Sequence, residues 1–224
     1  MEEQTIRQYL EELGRKEGKP GGGSAAALVG AMSASLAQMV ADIEKNKKKH
    51  QDHREQLIDI LEEAGKWKER LEQLSAEDAE AFEPVAEAYK MPKDTDEEKK
   101  LRSQKIEEGL NQAAQPPLET MEVVQSVLHL YRRLAEHSVA GSIVNDIAVG
   151  VLFCRTTLEA AWLNVLVNAR GMKDGQQKEV LLKKGKQLLK DGRHEAENVY
   201  EATTIYLETG KWPASSSQSG GTTK

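Results

Sequence analysis

The chain has one cysteine, Cys154, in 224 residues. A single thiol excludes an internal disulfide and a cysteine-rich zinc site, and it fits a reducing compartment. Aromatic residues make up only 4%, with two Phe, and β-branched clusters are rare. No segment alternates apolar and polar residues with period two, so a sheet is not expected. No dense basic stripe is present, and 31 Lys and Arg against 37 Asp and Glu leave a net charge of −6. That balance excludes duplex nucleic acid as the expected partner. The start, Met1-Glu2-Glu3-Gln4, lacks the basic residues and apolar run of a secretion signal, which predicts a cytoplasmic protein. The stretch Ala25 to Ala41 has no charged residue, is mostly Ala, Ser and Gly and is roughly the minimum length for a bilayer helix. It reads as a packed helix of a bundle, with no membrane partner.

What is present is helical periodicity. The chain predicts an all-α, single-domain bundle of about eight helices over residues 1–210, followed by a disordered Ser/Gly-rich tail at 211–224. Thr5 and Gln8 form a capping box ahead of an apolar face of Ile6, Tyr9, Leu10 and Leu13. A second helix opens at Ser24 and runs to about Lys48. Gly30 in its interior costs on the order of 1 kcal/mol against Ala, which implies a packing reason for it. A third helix covers about His50 to Leu74. Ser75 with Asp78 has the spacing of a cap for a fourth, bent by Pro84 and ending near Lys90. Thr95 with Glu98 opens a fifth, Pro117 a sixth, and Asp146 to Arg170 forms the most apolar helix. The last helix spans about Gly175 to Thr209 and is weakened by Gly185 and Gly192. The helices Ala25–Ile43 and Ile147–Val167 are apolar nearly all round, so most of their sides need cover, and a homodimer is the expected way to supply it.

Few residues stand out chemically. The Gly21-Gly22-Gly23-Ser24 turn at a helix start can let a ligand approach unpaired backbone N–H groups. It can equally be an entry loop with an ordinary serine cap. It is not a Walker loop, because no Gly-Lys-Ser/Thr follows. Asp78 and Asp146 can each be a helix-capping carboxylate or a general base. Asn164 and Asn168, four apart on an apolar helix, need partners in the core or on a ligand. Lys45, Lys47, Lys48 and Lys49 form either a solvated helix end or an anion site, and Lys93 has the same two readings. Arg155 and Glu159 have pairing distance across a turn. His50 and His53 share a face but lack a third ligand, so no metal site is expected. Cys154 reads as a small core residue.

Four elements in order resemble one family. Pro20-Gly21-Gly22-Gly23-Ser24-Ala25-Ala26-Ala27 resembles the opening of the cyclodeaminase/cyclohydrolase family. Asp78-Ala79-Glu80-Ala81-Phe82 is similar to its Asp-x-x-Ala-Phe element. Met91-Pro92-Lys93-Asp94-Thr95-Asp96-Glu97-Glu98-Lys99 is similar to its Leu-Pro-Lys-x-Thr-x-Glu-Glu-Lys loop. Asn164-Val165-Leu166-Val167-Asn168 resembles its Asn-Val-x-Ile-Asn segment, and Asp146 falls at its Ser-Asp pair. The sequence departs from the pattern at Val139-Ala140, where the family carries Gly-Asn, and at Asn145, where it carries the serine.

The resemblance implies an all-helical homodimer with a folate substrate and no cofactor beyond it. It implies hydrolysis of 5,10-methenyltetrahydrofolate to 10-formyltetrahydrofolate, with release of ammonia from 5-formiminotetrahydrofolate as the alternative. A non-catalytic folate- or partner-binding relative is a further alternative, motivated by the departures. On this reading Asp146 and Asp78 do acid/base or pterin-orienting work. The turn Gly21, Gly22, Gly23 and Ser24 positions substrate, Lys47 and Lys93 meet its anionic part, and Asn164 and Asn168 line the pocket. The glycine turn and Asp146 are expected to converge on one hollow across paired subunits.

Overall fold

The computed structural model describes residues 4–137 and 139–213. Eight α-helices follow one another among them: α1 (Ile6–Leu13), α2 (Gly22–Glu44), α3 (Arg54–Ala81), α4 (Glu83–Lys90), α5 (Asp96–Ala113), α6 (Gln115–Glu136), α7 (Val144–Gly171) and α8 (Gly175–Thr209). A 3-10 segment, Lys48–His53, joins α2 to α3. The predicted all-α fold is the one observed.

The small residues of α2 place it at the centre. Ala27, Ala34, Ala37 and Ala41 are fully buried, and α3 and α7 pack along it. A methyl on Gly30 would lie 3.2 Å from Leu71, Val124 and Thr157 together, which is the packing reason for that glycine. α6 lies against α3, α7 and α8, and α4 with α5 forms an outer hairpin beside α7. Both capping boxes are made: Thr5 with Gln8, and Thr95 with Glu98. Asp174 caps α8 through the N–H groups of Gln176 and Gln177. Prolines stand in the first turns of α4 and α6, where the missing N–H breaks no helical bond.

Three expectations change. α3 continues through Ser75 and Asp78 to Ala81, so those residues lie inside a helix and cap none that begins there. The break falls at Phe82, two residues before Pro84. In α1, Tyr9 is buried but Ile6 and Leu10 are exposed, so this face is not core. Gly185 and Gly192 are contact points: a Cβ there would sit 2.4 Å from Trp162 and 2.5 Å from Leu158.

The turn before α7 keeps a left-handed glycine, Gly141 at φ 94°, two places after Val139. Val139 itself is buried, and its carbonyl accepts the Trp212 indole N–H at 2.8 Å. Trp212 also stacks on Tyr206 with 5.0 Å between ring centroids, so packing reaches past residue 210. The rest of the expected tail, 214–224, lies outside the described residues, as does Ser138.

Candidate active site

The glycine turn meets α3 and α7 at one end of the bundle. Gly21 is the N-cap of α2 in extended conformation, with no side-chain cap, and Ser24 lies one turn inside. Ser24 therefore does not cap, contrary to its sequence position. Its hydroxyl is buried and shared with Tyr9 Oη at 3.1 Å and Ser75 Oγ at 2.9 Å. This hydroxyl chain ties α1, α2 and α3 together and engages Ser24 Oγ on both sides.

Asp78 takes over the helix end. Its carboxylate accepts the backbone N–H of Ser24. A Cβ on Gly23 would lie 2.3–2.6 Å from that carboxylate, so only glycine lets the two elements approach this closely. Asp78 thus caps a helix, but it caps α2 from α3. Burial pushes its carboxyl above the usual range, opposed by the Ser24 N–H. Beside it, Gly21 has nothing near its Cβ position, and a Cβ on Gly22 would lie 3.8–3.9 Å from the Asn164 amide. The start of α2 therefore has Asp78 of α3 beside Gly23 and Asn164 of α7 beside Gly22.

The two asparagines divide their work. Asn168 spends its amide on the carbonyls of Ala113 and Asn164, at 3.0 and 3.1 Å, and so fastens α7 to the end of α5. Asn164 donates back to Ala160 and presents the rest of its amide to Gly22. Both asparagines engage their NH2 groups, and each keeps its Oδ1 without a hydrogen-bond partner among the described residues.

Asp146 and Lys47 sit at the opposite end. Thr157 Oγ1 donates to the Ala26 carbonyl, and Ser33 Oγ to the Gly150 carbonyl, so α2 and α7 run antiparallel. In that register Asp146 falls near Ala37, about 20 Å from Ser24 along α2. Tyr131 agrees: it lies beside Ala37, within range of the Asp146 charge, and burial drives its hydroxyl well above the ordinary value. Lys47 grips Glu44 at 2.6 Å, about 30 Å from Ser24 at 1.5 Å per residue. Within one chain the glycine turn is therefore far from both Asp146 and Lys47; the convergence expected with Asp146 was one across paired subunits.

Lys93 lies beyond Asn168, where it lines a cavity of about 320 Å³ with Arg102, Gly171 and Lys173. A second groove, about 530 Å³, opens beside Tyr9 and carries Glu69, Glu72 and Gln73 on its wall.

Some features were not anticipated from the sequence. Glu44 is fully buried and holds His50 at 2.9 Å and Lys49 at 3.6 Å besides Lys47. Its signal was positional, since Glu44 shares a helix face with buried Val40 and Ala41. Burial lowers the His50 pKa. The Tyr9–Ser24–Ser75 chain carried no signal beyond the core position of Tyr9. Arg155 does reach Glu159, at 3.5 Å, and both extend to α8 through Glu197 and Arg193. Cys154 is a core residue whose thiol burial pushes up to about 12.

Known proteins resemble this chain along most of its length. The family model described as formiminotransferase-cyclodeaminase matches residues 5–187. The methenyltetrahydrofolate cyclohydrolase of Methylorubrum extorquens is 38% identical over 198 residues, covering 88% of this chain and 95% of that protein. The mouse formimidoyltransferase-cyclodeaminase is 31% identical over 192 residues, and the match spans 86% of this chain but 35% of that longer protein. The crystal structure of formiminotetrahydrofolate cyclodeaminase from Thermotoga maritima superposes with a TM-score of 0.78 at 25% identity, covering 94% of this chain and 99% of that one.

Proposed function

Since the chain belongs to the formiminotransferase-cyclodeaminase family, we propose that it is a methenyltetrahydrofolate cyclohydrolase, adding water across the one-carbon bridge of a folate. The observation that carries the chemistry is the Asp78 carboxylate, half-buried at the open start of α2 with its proton affinity raised. The methenyl bridge is a cation between two nitrogens. Asp78 attracts it and accepts a proton from the water that attacks its carbon. The carbon–oxygen bond forms, the bond from carbon to N5 breaks, and N5 takes the proton that Asp78 received. The hydroxyl proton of the intermediate leaves as the formyl C=O forms, so one proton is released overall. The reaction balances with water and a proton acceptor and requires no cofactor beyond the folate.

Asp146 and Lys47 belong to this site only if a second chain brings them. The apolar faces of α2 and α7 support that arrangement. Met32, Met39 and Ile43 on α2 and Leu152, Leu163 and Val167 on α7 are all exposed, the last at 69%. A homodimer covers them. A two-fold axis across the midpoints of the two antiparallel helices sets each glycine turn opposite the far end of the other copy. The partner's Asp146 and the partner's Lys47 then face Asp78, one orienting the cation and the other meeting an anionic group. Both helices are also long and apolar enough to cross a membrane by length and composition. Each is about half buried against the bundle (56% and 44%), which favours the role of core and interface helices in a cytoplasmic enzyme.

Decay of methenyl absorbance above the uncatalysed rate with purified protein tests this reading, and decay at the uncatalysed rate removes it. The likeness to the Thermotoga cyclodeaminase supports one second reading, ammonia release from 5-formiminotetrahydrofolate. An ammonia assay on that compound separates the two.

A further inference from the structure

Glu44 is the only carboxylate among the described residues that the bundle buries completely, and the chemistry above gives it no part. Two effects oppose a charge at that place. The side chain is sealed from water, and it closes α2 at the end where the helix dipole is already negative. Side chains from the turn that follows supply the counter-charge. Its Oε1 accepts from Lys47 Nζ at 2.6 Å. Its Oε2 lies 2.9 Å from His50 Nε2 and 3.6 Å from Lys49 Nζ. Burial, with Lys49 and Lys47 adding to it, lowers the His50 pKa against the pull of Glu44. The imidazole is therefore neutral at pH 7, and Lys47 is the nearest cation to the carboxylate.

The lysines of this turn are not alike. Lys45 pairs with Asp42, which is exposed. Lys47 is held by a carboxylate that cannot move into water. Its backbone is fixed as well: its N–H donates to the Glu44 carbonyl, and its own carbonyl accepts the His50 N–H, each at 3.0 Å. One ammonium hydrogen goes to Glu44, and 38% of the Lys47 side chain stays exposed. Two ammonium groups against one carboxylate leave a positive charge in surplus. Lys47 thus presents a cation of fixed position beyond the end of α2. A loose lysine loses rotamer freedom when it grips an anion, and an anchored one has less to lose.

We propose that Glu44 is a positioning residue, which fixes the Lys47 ammonium so that in a homodimer it meets the anionic part of the folate held by the other copy. The inference rests on the folate and dimer reading above and adds to it a residue that touches no substrate. The anionic part lies away from the reacting carbon and is the same before and during reaction. A contact to it strengthens substrate and transition state alike, so its loss raises KM and leaves kcat. Glu44 acts on KM only by way of Lys47.

The test is a double-mutant cycle on the full chain. Methenyl hydrolysis is measured for Glu44→Gln, Lys47→Gln and the double variant, each checked by circular dichroism and sedimentation. Glutamine keeps the size of Glu44 and removes the charge. Lys47→Gln should raise KM about 10-fold and Glu44→Gln about 5-fold, with kcat within about 2-fold of the unmodified protein. The double variant should match Lys47→Gln, because nothing is left to position. Glu44→Asp keeps the charge but draws it back by one methylene, a gentler change to the core. It should raise KM when Lys47 is present and have no effect in Lys47→Gln. Losses that multiply to about 50-fold in the double variant overturn the proposal. So does a fall in kcat in Glu44→Gln, or an unchanged KM in either single variant. Turnover with any of these results removes this inference and keeps the hydrolase reading. An unmodified protein without turnover removes both.

Discussion

At residue scale, Asp78 carries two opposed demands. Its carboxylate is wanted as a charge by the Ser24 N–H and by a cationic substrate, yet burial disfavours that charge. Because the folded-state pKa is raised above the unfolded one, folding is favoured by protonation below the unfolded pKa. That advantage is lost as pH rises through the raised value, so at neutral pH the ionised group costs stability. Asp78→Asn keeps an acceptor for Ser24 and removes the desolvated charge. Its melting temperature at pH 7 should equal or exceed that of the unmodified protein, while methenyl hydrolysis falls by about 100-fold or more. Calorimetry and the absorbance assay on one preparation check both halves. A destabilised variant with normal turnover would make Asp78 a cap and nothing more. The acid limb of the pH–rate profile should likewise lie above the ordinary aspartate value of about 3.9, because activity needs Asp78 ionised.

At element scale, much was legible because local signals are short-range. Thr5 with Gln8, Thr95 with Glu98, Pro117 and Gly171 act on their own turn, and each marks a helix end in the structure. Ser75 with Asp78 uses the same three-residue spacing, but three residues also separate neighbours on one helix face. What decides between them is Ser24, 51 positions away from Ser75, and no local pattern encodes that bond. The same limit hid the role of Ser24, whose hydroxyl belongs to Tyr9 and Ser75. The glycine turn and Asp146 were expected around one hollow across paired subunits, not within one chain. The antiparallel packing of α2 and α7 is what sets them apart in one chain. The α8 glycines show propensity overruled by packing. Gly185→Ala should gain about 1 kcal/mol of helix propensity, yet the added methyl meets the Trp162 ring at 2.4 Å. Overpacking of this kind costs about 1–3 kcal/mol, so denaturant unfolding should show net destabilisation. A more stable variant would mean that Trp162 moves aside freely.

At the scale of the whole molecule, the account depends on two chains. Leu163 and Val167 are exposed at 61% and 69%, so a protein that works as a single chain should tolerate charge there within about 0.5 kcal/mol. The double variant Leu163→Glu, Val167→Glu should instead shift from dimer to monomer in analytical ultracentrifugation and lose hydrolysis, while keeping its helical signal. A variant that sediments and turns over like the unmodified protein would move the interface elsewhere. If the site is shared, its two carboxylates need not come from one chain. The most direct measurement mixes Asp78→Asn with Asp146→Asn, each nearly inactive alone, after co-refolding. Half of the dimers are then mixed, and each mixed dimer holds one intact site made from both copies. Methenyl decay should return to about a quarter of the unmodified rate. If the mixture stays as inactive as its components, the two aspartates do not meet across subunits and the proposed site is wrong.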